Sequence, residues 1–355
     1  MTVSPFYFTT NILSPIIRNM ILLSPGAQRS LNIDFGVKML KKLEERQIQI
    51  YIITTIIAIV LGLFINQLTK TTLENLITPA LGILMFAMFA QIPFWEIKSS
   101  FQHRCFFIIL LALNYIAVPI LIALLLTIFS PPITLKIGIL LVLLTPCIDY
   151  VVVFTKLGKG DAKMMLSATP LLFMTQILLL PLYLWCFIGK EVAEIITITP
   201  FIHTFATMIL IPFFLAMLLQ WLASRYQSST KILNLSAWLP VPFMAIVLFL
   251  IISTQIELVL NNHNRHYLLI LIPLYASFMS MSFIISYAVG KSAKLPITMT
   301  RTLIYSVGTR NSLAVLPFAF ALPAEIRTLV AAVIVTQTLV ELVGELLFTT
   351  ITPKL

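Results

Sequence analysis

Charge is what this sequence has least of. Asp, Glu, Lys and Arg make up 10% of its 355 residues and apolar residues 59%, against roughly 25% and 45–50% in ordinary globular chains. So few charges cannot clothe a soluble surface, which excludes the two or three soluble domains that the length alone would suggest. Cysteine is scarce too, and three of them imply no disulfide framework. No zinc-type or Gly-x-Ser-x-Gly pattern occurs, and no His lies in mid-span with a nucleophile in reach, so neither an enzyme nor a cofactor or resident metal is expected. What the chain has in abundance is uninterrupted apolar sequence, in stretches long enough to cross ~30 Å of hydrocarbon. Backbone groups in lipid must be satisfied within the segment, so these stretches are helices. Outer-membrane barrels alternate in short segments of about ten residues, whereas 105–129 contains hardly any polar residue. The composition predicts an all-α polytopic membrane protein whose first partner is the lipid bilayer.

Apolar runs closed by charged or Pro/Gly-rich joints predict ten spans, at about 48–68, 75–94, 105–129, 137–155, 164–188, 200–222, 235–257, 267–290, 295–322 and 328–350. Lys and Arg then fix the orientation, because cytoplasmic loops carry the excess. Sixteen of the 23 fall on the side of the two termini; Lys70, Lys136, Lys190, Arg265 and Arg327 fall on the other, and Arg301 and Arg310 within a span. Both termini are expected in the cytoplasm of a multi-pass inner-membrane protein, and the formal charge of +10 reflects topology rather than a nucleic-acid partner.

Residues 1–47 form a cytoplasmic extension. Its apolar stretch 11–23 is interrupted by Arg18, is too short to span, and precedes no convincing cleavage site, so an interfacial helix or disorder is expected. A basic lead-in to the first span, MLKKLEERQ, opens at Met39, and residues 1–38 read as a dispensable extension or as the product of a misplaced start.

Ten spans divide into five and five, 48–188 and 200–350, and an odd-numbered unit repeated in tandem lies the opposite way up. Two echoes support an inverted repeat. Met174-Thr175-Gln176 in span 5 matches Val335-Thr336-Gln337 in span 10, and the preceding span of each half is broken near its middle. Pro146, between Thr145 and Cys147, removes a backbone donor from span 4. Gly308, followed by Thr309, Arg310, Asn311 and Ser312, makes a poor helix at the midpoint of span 9. Either residue alone is also compatible with a simple kink. Paired interruptions in matching halves point to a transport site.

Charges at bilayer depth accompany the breaks. Asp149, Arg310, Glu341 and Glu345 all fall well inside the hydrocarbon, where each costs ~2.5–3.5 kcal/mol on insertion scales. A structural Asp149–Arg310 ion pair is the bland alternative and can coexist with function. Glu341 and Glu345, four apart, share a helix face; two carboxylates in a dry site cannot both ionise cheaply, so one is expected to hold a proton. Arg301 reads as a snorkelling residue near the cytoplasmic end, and Gln91 and Asn114 as interhelical hydrogen-bonders, Asn114 also being a candidate for the site. Cys105 and Cys186 read as packing residues. Cys147 stands beside the break and is open to two readings, packing or soft ligation of a thiophilic centre.

These residues resemble a known group. Pro146-Cys147-Ile148, through Val151-Val152-Val153 to Lys159-Gly160-Asp161, is similar to the span-4 motif of arsenite permeases of the arsenical-resistance-3 type, in which a cysteine required for transport stands fourteen residues before the Asp of a cytoplasmic Lys-Gly-Asp. The run from Thr302 to Leu322, with Val307-Gly308 and Asn311-Ser312, resembles the crossing helix of the wider bile acid:sodium symporter superfamily, and Val340-Glu341-Leu342-Val343 resembles the permeases' Val-Glu-Val-Pro. The resemblance runs from about residue 40 to the C terminus. It implies two inverted five-helix repeats arranged as core and panel domains, with discontinuous spans 4 and 9 crossing, and alternating access. Departures matter. Sodium-coupled members carry a Glu and a Gln where Ser306 and Arg310 stand, a Ser-Asn pair where Val151-Val152 stands, and hydroxyls where Leu172 and Phe173 stand. Leu316-Pro317 replaces the Glu that classical arsenite permeases carry shortly after the Asn of the second crossing helix.

The reading that follows is a secondary transporter exporting arsenite in exchange for protons, without sodium. Cys147 is the metalloid ligand; Asp149, Arg310, Asn311 and Asn114 complete the substrate site, and Glu341 and Glu345 couple protons. Alternatives are an organic-anion carrier of the same superfamily, holding a bile acid or pantoate-like anion on Arg310, and a membrane sensor that transports nothing. The second is disfavoured by the lack of a sizeable soluble domain.

Overall fold

The computed structural model describes residues 31–92, 103–148, 150–188, 206–260, 265–320 and 322–355, and among them the chain is helical, with no strand beyond a single isolated bridge. The first half comprises α1 (Leu31–Gly62), α2 (Gln67–Gln91), α3 (Arg104–Ala112) continuing through a π-turn (Leu113–Ala117) into α4 (Val118–Phe129), α5 (Ile133–Leu143), α6 (Val151–Leu157) and α7 (Ala162–Ile188). The second comprises a π-turn (Ala206–Leu210) leading into α8 (Ile211–Ala223), α9 (Gln227–Ser236), α10 (Pro240–Leu260), α11 (Arg265–Ser292), α12 (Ile297–Gly308), α13 (Ser312–Phe320), α14 (Ala324–Ile351) and a closing 3₁₀ turn (Thr352–Lys354).

Local chemistry sets the boundaries. The Asn66 side chain accepts the Thr69 amide at 2.9 Å and caps α2, as an N-cap side chain does for an orphan donor. Span 1, expected to reach about residue 68, therefore stops at Gly62. The apolar run Leu63-Phe64-Ile65 had hidden this turn. Both π-turns precede a proline, Pro119 and Pro212, near the start of the next helix. A residue without an N–H opens the i→i−4 ladder, and the chain absorbs the change by widening one turn. Helix α1 begins at Leu31, so the expected lead-in from Met39 belongs to a helix already under way. The expected interfacial or disordered stretch 11–23 lies outside the described residues.

Among the described residues, five uninterrupted segments are long and apolar enough to cross a membrane: Leu68–Gln91, Arg104–Phe129, Ala162–Phe187, Leu269–Ser292 and Ile326–Lys354. A sixth is counted if α9 and the first part of α10, bent by 40° at their junction, form one span. The other expected spans are shorter apolar helices, Gln49–Gly62, Ile133–Leu143 and Ile211–Ala223, or broken ones. Apolar side chains such as Ile53, Ile56, Ile108, Ile120, Phe214 and Leu218 stay exposed on the outer faces, a pattern suited to lipid and not to water. The chain is thus a multi-pass membrane protein.

Helices α1, α2, α8, α9 and α10 pack together, with α10 against both α1 and α2. Gln220 of α8 locks this group by donating its amide to the carbonyls of Phe89, Ala90 and Ile92 at the end of α2, at 3.3, 3.0 and 2.9 Å. Gln91 donates to Ser236 Oγ of α9 at 3.2 Å, an interhelical bond. A second group forms around α14, which packs on α5, α11 and α13. Two tyrosines occupy matching places in it: Tyr115 donates to the Leu172 carbonyl at 2.6 Å and Tyr275 to the Val333 carbonyl at 3.1 Å. Leu172 and Val333 each lie four residues before a glutamine, Gln176 and Gln337. The preceding threonines, Thr175 and Thr336, both bond back to the carbonyl four residues earlier at 2.8 Å.

Candidate transport site

Helix α5 ends at Leu143. Thr145 turns its hydroxyl back onto the Leu141 and Val142 carbonyls, at 3.1 and 3.0 Å, and Pro146 supplies no amide to continue the ladder. Thr145 to Ile148 is non-helical, and α6 begins at Val151. Helix α12 ends at Gly308, where the Thr309 hydroxyl bonds back to the Tyr305 carbonyl at 2.6 Å, and α13 begins at Ser312. The two unwound stretches meet as an antiparallel bridge between Pro146 and Arg310. Cys147 N–H donates to the Thr309 carbonyl at 3.2 Å and Asn311 N–H to the Thr145 carbonyl at 2.8 Å. Each break thereby satisfies backbone groups that the other exposes, which lets irregular backbone persist among apolar helices.

Gly308 lies close against α14: a Cβ there would stand 3.0 Å from the Phe348 ring and 3.9 Å from a Glu345 carboxylate oxygen. Asn311 accepts the Ala314 amide at 3.2 Å and caps α13. Ser312 Oγ accepts from Thr338 of α14 at 2.8 Å.

The Arg310 side chain is fully buried. Its guanidinium donates to Asn114 Oδ1 at 3.2 Å, to the Leu143 carbonyl at 3.3 Å and to the Val307 carbonyl, and lies over the Phe278 ring at 5.3 Å. Asn114 sits on the π-turn of span 3 and is oriented by donating its own amide to the Leu110 carbonyl at 3.1 Å and to Ser306 Oγ at 3.2 Å. The Cys147 thiol is also fully buried.

Asp149 lies outside the described residues, and with it the expected Asp149–Arg310 pair. The two glutamates separate. Glu341 accepts from the Tyr150 hydroxyl at 2.6 Å, the Arg310 backbone amide at 2.8 Å and the Gln337 side-chain amide. Both carboxylate oxygens of Glu345 are buried with no hydrogen-bond partner. Arg301 does not snorkel freely: it ties Lys159 and Pro353 together by donating to their carbonyls at 3.2 and 3.3 Å. Cys105 and Cys186 are exposed rather than packed.

Tyr150, Gln337, Phe278 and Ser306 belong to this cluster and were not singled out as site residues by sequence reasoning. Gln337 carried a signal, since it closes the Thr-Gln echo and stands four residues from Glu341. Tyr150 and Phe278 carried none, because their partners lie far away in sequence. Among the described residues, the buried polar side-chain atoms without a partner include Arg310 Nε, Asn311 Nδ2, Gln337 Oε1 and both Glu345 oxygens. Native proteins leave few such atoms, and each calls for an explanation; these lie on residues of the second break and of α14.

The sequence pattern of the sodium bile acid symporter family matches residues 78–262, just over half of the chain and including the first break. The chain belongs to this family. The family is named for symporters, and membership together with the apolar spans makes this chain a membrane transporter with a small-molecule substrate. No curated protein matches it.

Proposed function

We propose that this protein is a secondary active transporter that exports arsenite in exchange for protons, from an inner membrane with both termini in the cytoplasm. The observation that carries the reading is the placement of Cys147: a cysteine at the paired breaks, its amide bonded to the Thr309 carbonyl and its neighbour Pro146 bridged to Arg310. Thiols favour thiophilic centres over hard ones. Arsenite is neutral at pH 7, so the thiol engages arsenic while the partnerless amide of Asn311 and Nε of Arg310 serve its hydroxyls.

The crossing joins two inverted five-helix halves on this reading, and the matched Tyr115–Leu172 and Tyr275–Val333 bonds support that symmetry. The group α1, α2, α8–α10 is the panel, and the group around α14 is the core. Glu341 and Glu345 carry the proton step, with no sodium involved.

The decisive experiment is arsenite efflux from loaded cells, or everted vesicles, with Cys147→Ser. Export is expected to fall to the level of cells lacking the protein. Export at the parental rate would remove Cys147 as ligand and arsenite as substrate. A second reading is favoured by one observation, the guanidinium whose hydrogen-bond acceptors among the described residues are all neutral: an organic-anion carrier. Proteoliposomes that accumulate bile acid or pantoate-like anions, and not arsenite, would establish it.

A further inference from the structure

We propose that the turns closing α6 and α11 form, with Arg301 of α12, a docking site for the headgroup of an anionic phospholipid. Both helices end in the same way. At the end of α6 the Lys159 amide donates to the Lys156 carbonyl at 3.1 Å and the Gly160 amide to the Thr155 carbonyl at 2.8 Å. At the end of α11 the Lys294 amide donates to the Lys291 carbonyl and the Leu295 amide to the Gly290 carbonyl, both at 3.0 Å. Each is a Schellman closure, whose pivotal residue takes a left-handed backbone and is usually glycine. Here that residue is a lysine twice, Lys159 at φ 57° and Lys294 at φ 53°, where a side chain is disfavoured. Positive charge at a helix C-terminus answers the helix dipole, and Lys156 and Lys291, inside the last turns, already supply it. A lysine on the strained position itself points to a further role.

The two turns meet. Asp161 N–H donates to the Thr298 carbonyl at 3.2 Å and to Thr302 Oγ1 at 2.8 Å, and Arg301 donates to the Lys159 carbonyl at 3.2 Å. Gly290 packs on Thr300, where a Cβ would fall 2.6 Å from the threonine methyl. Residues 156–163 and 291–301 thus bring together Lys156, Lys159, Lys163, Lys291, Lys294 and Arg301 against one acidic residue, Asp161. Its Oδ1 is taken up by the Lys163 and Met164 amides, at 3.1 and 3.0 Å. The five lysines are exposed; Arg301 is half-buried and its Nε has no partner.

Depth and surroundings select a lipid over a soluble anion. The membrane-crossing segments Ala162–Phe187 and Leu269–Ser292 begin and end at these turns, which puts the lysines at headgroup level. Leu157 and Ile297, within three residues of Lys156 and Lys294, stay 51% and 42% exposed, apolar surface on which acyl chains can lie. Basic clusters between membrane helices bind anionic headgroups in this way. This goes beyond the transporter reading and holds whatever the substrate is.

The test is thermal unfolding of the purified full-length chain in a neutral detergent supplemented with dioleoylphosphatidylglycerol, dioleoylphosphatidylcholine or inorganic phosphate. Phosphatidylglycerol is expected to raise Tm by about 3 °C or more over phosphatidylcholine, as a ligand well above its Kd does, and phosphate to leave Tm unchanged. Lys156→Gln with Lys291→Gln is expected to lose most of that advantage. Lys159→Gly with Lys294→Gly is expected to lose it too while unfolding no earlier in phosphatidylcholine, because glycine relaxes the left-handed turns. Arg225→Gln with Lys231→Gln, at the α8–α9 turn of the other helix group, is expected to keep it. An equal rise with phosphatidylcholine, an advantage that survives both lysine pairs, or one lost equally with Arg225 and Lys231 overturns the proposal. So does a rise that phosphate alone reproduces, since the ligand is then a soluble anion.

Discussion

Glu341 has three donors around its carboxylate, from Tyr150, Arg310 and Gln337; Glu345, one turn further along α14, has none on either oxygen. The first arrangement ties both breaks to α14, since Tyr150 also donates to the Arg310 carbonyl at 3.3 Å. The second suits a carboxyl that is neutral when the site is dry and gains or loses a proton when the site opens. Replacing Glu341 by Gln leaves three donors facing a group with one acceptor oxygen, and a buried donor left unsatisfied costs about 1–3 kcal/mol. Glu341→Gln is accordingly expected to lower Tm by several degrees. Glu345→Gln breaks no hydrogen bond and is expected to keep its Tm, while arsenite flux loses its response to an imposed pH gradient. Unfolding scans and efflux assays at two external pH values separate the roles. A Glu345→Gln protein with full pH response, or one that unfolds as early as Glu341→Gln, would reverse the assignment.

At the scale of elements, the hinge-like joints are held by close contacts rather than by length of helix. A Cβ on Gly158, just after α6, would fall 2.0 to 2.4 Å from the Tyr305 ring and hydroxyl of α12. Tyr305 in turn bonds Thr352 Oγ1 at 2.8 Å, and Thr352 donates back to the Gly158 carbonyl at 3.2 Å. Gly158→Ala must displace a buried ring that is tied at its tip, and over-packing of this kind costs about 1–3 kcal/mol; a clear fall in Tm is expected, and an unchanged Tm would show that α6 and α12 are not in register there. The sequence makes the breaks legible because proline and glycine act on their own backbone, and it makes the long spans legible because hydropathy sums over many residues. The turn at 63–66 escaped since its apolar residues read as helix and only the Asn66 cap betrays it. The unequal partners of Glu341 and Glu345 escaped for another reason: two residues on one helix face look alike until a tyrosine 191 positions away is placed against one of them.

For the whole molecule, the two helix groups touch along α10 with α14 and α2 with α13, while the crossing is sealed. Cys147, Arg310 and Glu345 are 0% exposed, and Asn114, Asn311 and Glu341 are 1% exposed. A solute that reaches Cys147 from either side therefore requires the groups to part, and the thiol itself reports that parting. In a protein whose Cys105 and Cys186 are replaced by Ser, Cys147 is the only cysteine left. Maleimide is expected to label it at least about tenfold more slowly than an exposed thiol, since reaction follows access as well as thiolate character. Labelling should accelerate in membranes carrying a pH gradient that drives turnover, and arsenite should suppress it by occupying the sulfur. Fast labelling at rest would mean that the crossing stands open without any motion of one helix group against the other. Acceleration without protection by arsenite would keep the motion and dismiss the metalloid.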